Sequence, residues 1–349
     1  MSSTRGKLLD LIVDPDAAYA LDAAELQPLQ LQAAQELFET RRSQIPLLER
    51  RAADAGIQSI RSFEDLVPLL FAHTVYKSYP ASFIEQGRWD RLLRWLDTLS
   101  VPGGAPVDVN GVKDIDEWIE RLWQAGRRVL ATSGTSGKCS FLNQTDADFE
   151  LKQRHFRHTV GWPFVRADGD HIFFWLGPIK GPNSAVEAAQ IGAHNWARAG
   201  EASPGEIAQL ESVAREKGRF FGNVVRPGAY GMTELMNLMP RCEAGRYHRP
   251  PGLITLVLDQ AGERLLTVAD ASGGLAEGRF GLLDLGFEGR WGGLISGDKV
   301  TVDFAPRCAC GRPGPTLLDN ITRWAQTGED DHIGCAGTID NYIRGAVGE

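Results

Sequence analysis

The sequence has few cysteines and no apolar run long enough to cross a bilayer. Five cysteines spread unevenly over 349 residues argue against a disulfide framework and favour metal or thiolate chemistry. The longest apolar runs, such as LITLVL at 253–258, are far shorter than the roughly 20 residues of a membrane-spanning helix. No apolar core of signal-peptide length precedes Asp14. We therefore expect a cytoplasmic protein with no membrane span.

The sequence also has fewer basic residues than acidic residues. Lysine and arginine total 37 against 45 aspartate and glutamate residues, so the formal net charge is −8. Binding of nucleic acid relies on clustered basic residues, so we expect no nucleic-acid partner. The apolar content of 43% and the charged content of 23% are those of an ordinary globular protein of one large or two smaller domains.

The spacing of apolar residues along the chain changes near residue 100. Before it, segments 31–52 and 83–100 have apolar residues at helical spacing, and Ser62 and Asp65 open segment 62–71 like a capping box. The loop VPGGAP at 101–106 is a breaker of helical structure. We therefore predict an N-terminal helical segment over residues 1–100.

Strand patterns become frequent after this loop. Segment 114–128 is typical of a helix that stops near Gly126, and RVLATS at 128–133 is typical of a strand that delivers a loop inside an α/β unit. HIFFWLG at 171–177 has the pattern of a buried strand. Four glycine-punctuated segments favour hairpins of a mainly antiparallel sheet or small barrel: 253–259, 264–268, 280–286 and 292–304.

The segment VLATSGTSGKCS at 129–140 has the composition of a phosphate loop. Gly134 and Gly137 can adopt positive φ, which lets successive backbone N–H groups surround an oxyanion. The loop of nucleotide triphosphatases does not fit, because Thr132 takes the place of its first glycine and Cys139 that of its Mg²⁺-binding hydroxyl. The segment is therefore a nucleotide loop of another class or an ordinary glycine-rich turn.

Two further stretches make this signal specific. AYGMTE at 229–234 and ISGDKV at 295–300 follow the loop in that order. The set resembles the TSGTTG-K, YGxTE and TGD motifs of the adenylate-forming superfamily, which includes acyl-CoA synthetases, luciferases and adenylation domains. Ser136 and Ser296 each replace a threonine and keep its hydroxyl.

The resemblance implies an α/β fold over residues 101–345. It would be the large N-terminal domain of an adenylate-forming enzyme, with mixed sheets flanked by helices and a small antiparallel barrel-like part, and it would lack the mobile C-terminal domain. The implied reaction is activation of a carboxylic acid as an acyl adenylate, with ATP and Mg²⁺. A site for it must neutralise phosphate charge and hold two anions together.

The resemblance also implies roles for individual residues. Lys138 would neutralise the departing phosphates, Thr233 would contact the α-phosphate and Glu234 would bind Mg²⁺ as a catalytic carboxylate. Tyr230 would pack on the adenine beside Gly231, and Asp298 would accept hydrogen bonds from the ribose. The phosphates would lie against the loop residues Thr132, Ser133, Gly134, Thr135, Ser136 and Gly137. The alternatives are Tyr230 as core, Glu234 as a helix N-terminal acid and Asp298 as a turn residue.

Four further segments carry a narrower resemblance: 8–41, 71–83, 246–259 and 334–343. They resemble one branch of the superfamily, the acyl-protein synthetase of bacterial luminescence fatty-acid reductases. That branch implies a fatty acid as substrate and transfer of the acyl group to Cys335, then to a partner protein such as a reductase or a carrier; a thiolate is a suitable nucleophile. A second interpretation is a phenylacetate-type acyl-CoA ligase, because GTIDNYIRG at 337–345 resembles the hinge of those enzymes. A third is a non-catalytic nucleotide-binding or scaffolding subunit, because the segment between Gly137 and Tyr230 is shorter than in the superfamily.

The remaining cysteines suggest a metal site. Cys308 and Cys310 are one residue apart, and Cys242 and His248 follow YGMTE. Phenylacetate-CoA-ligase-like proteins have a similar arrangement that can hold zinc, and four such ligands suit a closed tetrahedral structural Zn²⁺ site. Buried free cysteines are the alternative.

Overall fold

The computed structural model describes residues 3–103, 105–132, 138–164, 180–195 and 228–324. Its α-helices are α1 Thr4–Asp10, α2 Pro15–Ala18, α3 Ala23–Arg41, α4 Pro46–Asp54, α5 Ser82–Glu85, α6 Trp89–Leu99, α7 Ile115–Gln124, α8 Asp146–Thr159 and α9 Ser184–Asn195. Short 3-10 helices lie at Leu11–Val13, Glu64–Leu69, His73–Lys77 and Val268–Asp270. None of these helices is both long and apolar enough to cross a membrane.

The first hundred residues are mainly helical, with the short strand β1 at Phe71–Ala72. Asp22 and Glu25 form a capping box at the start of α3, which supplies partners for backbone N–H groups of the first turn. The predicted helical stretch 31–52 is two helices, because Pro46 takes the first position of α4, where its missing N–H costs nothing. Asp65 accepts from the N–H of Ser62 at 2.9 Å, in front of a 3-10 helix.

The strands after Gly252 form the main sheet. The strands of the structure are β1 Phe71–Ala72, β2 Leu130–Ala131, β3 Phe141–Leu142, β4 Ala229–Tyr230, β5 Met239–Pro240, β6 Leu253–Leu258, β7 Leu275–Asp284, β8 Gly293–Asp303, β9 Thr316–Leu317 and β10 Thr322–Arg323. Strands β6, β7 and β8 are consecutive antiparallel neighbours, β9 and β10 pair antiparallel with β8, and β1 pairs parallel with β8. The described part of the protein is therefore mixed α/β, with a mixed sheet flanked by helices.

Two expectations about this sheet are wrong. The barrel-like part does not form within the described residues. Strand β8 pairs with β1, β7, β9 and β10 but not with β6, so the sheet does not close into a barrel. Segment 264–268 is not a strand: it makes one isolated bridge between Leu265 and Leu258 and enters a 3-10 helix at Val268. Strands β6 and β8 lie within the predicted segments 253–259 and 292–304, and β7 overlaps the predicted segment 280–286.

The strand before the phosphate loop pairs differently from the prediction of an α/β unit. Helix α7 begins after the N-cap Asp114 and ends before Gly126, whose φ of 77° suits glycine. Strand β2 then pairs antiparallel with β3 across the loop. The loop therefore joins two antiparallel strands and not a strand and a helix of a parallel unit.

Residues before and after position 100 in the sequence pack into one apolar core. It includes the fully buried Trp95, Trp118 and Trp291, and the indole N–H of Trp291 donates to Leu69 O at 3.0 Å. Burial of each such ring stabilises the fold by roughly 2–3 kcal/mol. The division into a segment 1–100 and a core 101–345 stays a prediction.

Candidate active site and metal centre

The second and third motifs meet in the structure. The Tyr230 hydroxyl donates to Asp298 Oδ2 at 2.6 Å, which joins strand β4 to strand β8. Burial, followed by the adjacent Asp298 carboxylate, raises the pKa of Tyr230, so the hydroxyl remains a donor. The ring of Tyr230 is half-buried and contacts Phe280 edge-on, with the ring centroids 5.6 Å apart.

Asp298 is a buried carboxylate with two charged or polar partners. Its side chain is 7% exposed, and Oδ1 lies 2.9 Å from Arg323 Nε. Its N–H donates to Ser296 Oγ at 3.1 Å, which is the hydroxyl retained in the third motif. Since each carboxylate oxygen has two lone pairs, either oxygen could still accept from a ligand hydroxyl. Asp298 lies inside β8, so its interpretation as a turn residue is wrong.

The first and second motifs line a common cavity of about 570 Å³. Its polar wall contains Thr132, Ser184 and Thr233, and the Ser184 and Thr233 hydroxyl oxygens are 3.0 Å apart. Its apolar wall includes Ile84, Ile115, Ile119 and Phe141. The volume is typical of a site for a small organic ligand.

Lys138 directs its ammonium group toward the N-terminal segment. Lys138 Nζ donates to Tyr79 O at 2.6 Å and lies 5.1 Å from the centre of the Tyr79 ring. The Tyr79 hydroxyl donates in turn to Cys139 O at 3.0 Å. Tyr79 therefore holds the end of the phosphate loop, whose residues Ser133–Gly137 lie outside the described part of the chain.

Glu234 is half-buried, and the positive charges of two arginines act on its carboxylate. Burial raises its pKa, against the opposing charges of Arg290 and Arg323. The Glu234 backbone carbonyl accepts from Arg290 Nη2 at 2.8 Å. No helix begins at Glu234 in the described segment 228–324, so its interpretation as a helix N-terminal acid is wrong. A divalent cation would compensate the desolvation of this carboxylate, and a carboxylate oxygen is a ligand that Mg²⁺ accepts.

Gly231 permits the close approach of β4 and β5. A Cβ at this position would collide with the Leu238 side chain. Gly231 itself is exposed, so the backbone beside Tyr230 is open to a ligand. The last proposed catalytic residue, Cys335, lies outside the described residues.

The four predicted metal ligands converge in the structure. Cys242, His248, Cys308 and Cys310 place their ligand atoms within 4.8 Å of one another. Cys242 Sγ is 3.9 Å from Cys308 Sγ, and Cys310 Sγ is 3.4 Å from His248 Nε2. Tetrahedral zinc, with Zn–S near 2.3 Å and Zn–N near 2.0 Å, requires separations of about 3.8 and about 3.5 Å. The cluster therefore has dimensions that fit a metal ion.

His248 is in the protonation state that a metal ligand needs. Burial, followed by the charge of Arg312, lowers the pKa of His248 to about 4. The imidazole is therefore neutral at physiological pH, with a nitrogen lone pair for a metal.

The two cysteine segments form matching turns, which our sequence analysis missed. CEAGR at 242–246 and CACGR at 308–312 share the pattern Cys-x-x-Gly-Arg. In each turn the glycine N–H donates to the first cysteine's carbonyl at 2.9 Å, and Gly245 and Gly311 have φ of 73° and 88°. The repeated pentapeptide is the signal that could have revealed them.

Several site residues carry no local signal. Tyr79, Ser184, Arg290 and Arg323 contact the motif residues from positions far away in the chain. Their roles depend on tertiary contacts, and no motif contains them.

No protein-family model matches this chain, and no curated protein sequence matches it either. The resemblance to adenylate-forming enzymes is therefore a resemblance of three short motifs, and membership of that superfamily stays a prediction.

Proposed function

We propose that the protein activates a carboxylic acid as an acyl adenylate, with ATP as the second substrate and pyrophosphate as the leaving group. One observation carries the proposal: Thr132 and Thr233, far apart in the chain, line one cavity, and Tyr230, which shares a motif with Thr233, donates to Asp298. These are the residue types that hold phosphate, adenine and ribose in the superfamily the motifs resemble.

The carboxylic acid would occupy the cavity beside Thr132 and Thr233. Its wall of Ile84, Ile115, Ile119 and Phe141 suits an apolar acyl chain, and the hydroxyls can hydrogen-bond the carboxylate and the α-phosphate. Lys138 and a Mg²⁺ ion on Glu234 would neutralise the phosphates. The chemistry supplied by these groups is electrostatic stabilisation as the carboxylate oxygen attacks the α-phosphorus and pyrophosphate leaves.

A thiol would then accept the acyl group. We propose Cys335 or a thiol of a partner protein as the acceptor, which forms a thioester and releases AMP. A second candidate is an acyl-CoA ligase of the phenylacetate type, favoured by the gathering of Cys242, His248, Cys308 and Cys310, since those enzymes have a similar ligand pattern.

The decisive experiment is acid-dependent exchange of labelled pyrophosphate into ATP, with short, aromatic and long-chain acids. Asp298→Asn should reduce exchange about 10- to 100-fold, because a charged hydrogen-bond acceptor is lost. Asp303→Asn, at the end of the same strand, is the matched control and should leave exchange unchanged. Absence of exchange with every acid, in folded protein, would overturn the proposal; retained binding of an acyl-sulfamoyl adenosine would then favour the non-catalytic subunit.

The acceptor is identified with labelled acid and ATP. We expect protein label that hydroxylamine removes and that Cys335→Ser abolishes. Cys139→Ser is the control, because Cys139 is a free thiol that lines the cavity. Transfer to added CoA with no protein label would instead support the ligase.

We also propose that the four-residue cluster binds a structural zinc ion. Soft sulfur and imidazole ligands at tetrahedral spacing favour Zn²⁺ over the oxygen-preferring cations. The ion would connect the loop after β5 to the loop after β8. We expect about one zinc per chain by elemental analysis and loss of the metal in Cys308→Ser, with the metal retained in Cys139→Ser. Purified protein without zinc that also fails to take it up would exclude this site.

A further inference from the structure

A second and larger cavity lies against strand β6 and helix α3. Its volume is about 850 Å³, and it shares no lining residue with the cavity beside Thr132. Most of its wall is apolar and includes Phe63, Ile254, Leu256, Leu266, Val302 and Phe304. We call it the β6 groove. Its size suits a ligand of the dimensions of a fatty acid or larger.

Arg249 lines this groove, and it has no counter-ion among the residues that the structure describes. It follows His248 directly and is only partly accessible to solvent. No described residue makes a hydrogen bond or an ion pair with its guanidinium group. The neighbouring arginines differ: Arg241 pairs with Asp319 at 2.5 Å, and Arg246 lies 4.0 Å from Asp303. A largely desolvated guanidinium is costly unless an anion pairs with it.

The other charged residues of the groove do not neutralise Arg249. Asp22 accepts from the N–H of Glu25 at 3.0 Å and caps α3, and Glu64 is exposed. The second cation, Arg307, donates to Gly311 O at 3.0 Å. The two acids would repel a polyphosphate, whereas one unpaired guanidinium beside an apolar wall suits a single negative charge on an apolar body.

We propose that the β6 groove binds a fatty acid, with its carboxylate on Arg249 and its chain along the wall of Ile254, Leu256 and Leu266. The guanidinium can hold a carboxylate through two parallel hydrogen bonds, and the wall shields the chain from water. Neither ATP nor the cavity beside Thr132 takes part. This proposal is therefore independent of the proposed adenylation, and it would stand even if the protein did not adenylate any acid.

Calorimetric titration of the full chain with dodecanoate, without ATP, tests the proposal. We expect saturable binding of dodecanoate, and much weaker binding of dodecanol and of dodecyltrimethylammonium, which lack the anion. Arg249→Met should weaken dodecanoate binding about 10- to 100-fold, because charge-assisted hydrogen bonds are lost, and Arg249→Lys should retain part of the affinity. Leu266→Trp, which fills the groove, should also abolish binding.

Arg264→Met is the matched control. Arg264 is exposed, pairs with Asp270 at 2.7 Å and does not line the groove, so this change should leave the affinity for dodecanoate unaltered. Thermal unfolding of each variant establishes that it is folded. Three results would overturn the proposal: no binding of dodecanoate by the wild type, equal binding of dodecanol, or binding that is unchanged in both folded Arg249→Met and folded Leu266→Trp, which would place the fatty acid elsewhere.

Discussion

Single side chains of the candidate site are held by partners from distant parts of the chain. Asp298 accepts from Tyr230 at 2.6 Å and from Arg323 at 2.9 Å, so its carboxylate is fixed before any ligand arrives. Such preorganisation avoids reordering of the site when a ligand binds. The same contacts contribute to the stability of the fold, which makes them testable without knowledge of the substrate.

Tyr230→Phe should lower the free energy of unfolding by about 1–2 kcal/mol, because it leaves an oxygen of the buried Asp298 without its donor. Urea denaturation measures the change. Tyr247→Phe is the control, since the Tyr247 ring packs against Tyr230 with centroids 6.1 Å apart, but its hydroxyl donates to no described residue. An equal loss in both variants would show that the hydrogen bond contributes nothing specific.

At the scale of structural elements, the pair of Cys-x-x-Gly-Arg turns positions the predicted metal ligands. One follows β5 and the other follows β8, and each presents its first cysteine toward the same point. The positive φ of Gly245 and Gly311 places the turn backbone in a conformation that other residues adopt at a cost. Turn geometry therefore determines where the sulfur atoms lie.

Gly311→Ala should reduce stability by about 1 kcal/mol and also weaken zinc binding, because a Cβ strains the turn that carries Cys308 and Cys310. Gly111→Ala is a close control. Both glycines have positive φ, 88° and 72°, and an added Cβ meets no atom within 4 Å at either position. We expect a similar loss of stability for Gly111→Ala with zinc affinity unchanged, measured by competition with a chromogenic chelator. Equal zinc affinity in both variants would contradict a role of the turn in ligand placement.

At the scale of the whole molecule, a buried histidine connects the stability of the fold to pH. His155 is on α8, and its Nε2 atom lies 3.1 Å from the backbone oxygen of Leu9 in α1. Burial lowers the pKa of His155 from 6.5 to about 4. The unfolded chain therefore binds this proton more tightly, and the free energy of unfolding falls as the pH drops from 6.5 toward 4.

The wild type should lose about 3 kcal/mol through His155 over this pH range. His155→Gln keeps a nitrogen donor for Leu9 O and should show a smaller decrease of stability between pH 6.5 and pH 4. His194→Gln, which changes an exposed histidine of α9, should keep the wild-type slope. Urea unfolding at a series of pH values measures the slopes, and identical slopes for His155→Gln and the wild type would refute the assignment.

The sequence alone determined the features that depend on near neighbours. Asp114 and Gly126 bound α7, apolar segments punctuated by glycine indicate β6, β7 and β8, and the order of three short motifs suggests a site. Four ligand residues for a metal could be named from their spacing, and the structure brings them within reach of one ion.

Only the tertiary structure decided how these pieces meet. The parallel pairing of β1 with β8, the antiparallel β2 and β3 around the phosphate loop, and the open edge of the main sheet all join residues without a shared local pattern. Arg249 has the same side chain as its paired neighbours, and its surroundings in the described part of the chain provide no counter-ion. The physical reason is that helix caps and glycine-punctuated apolar runs depend on a few neighbouring residues, whereas strand pairing, burial and charge balance depend on what the rest of the chain places beside each residue.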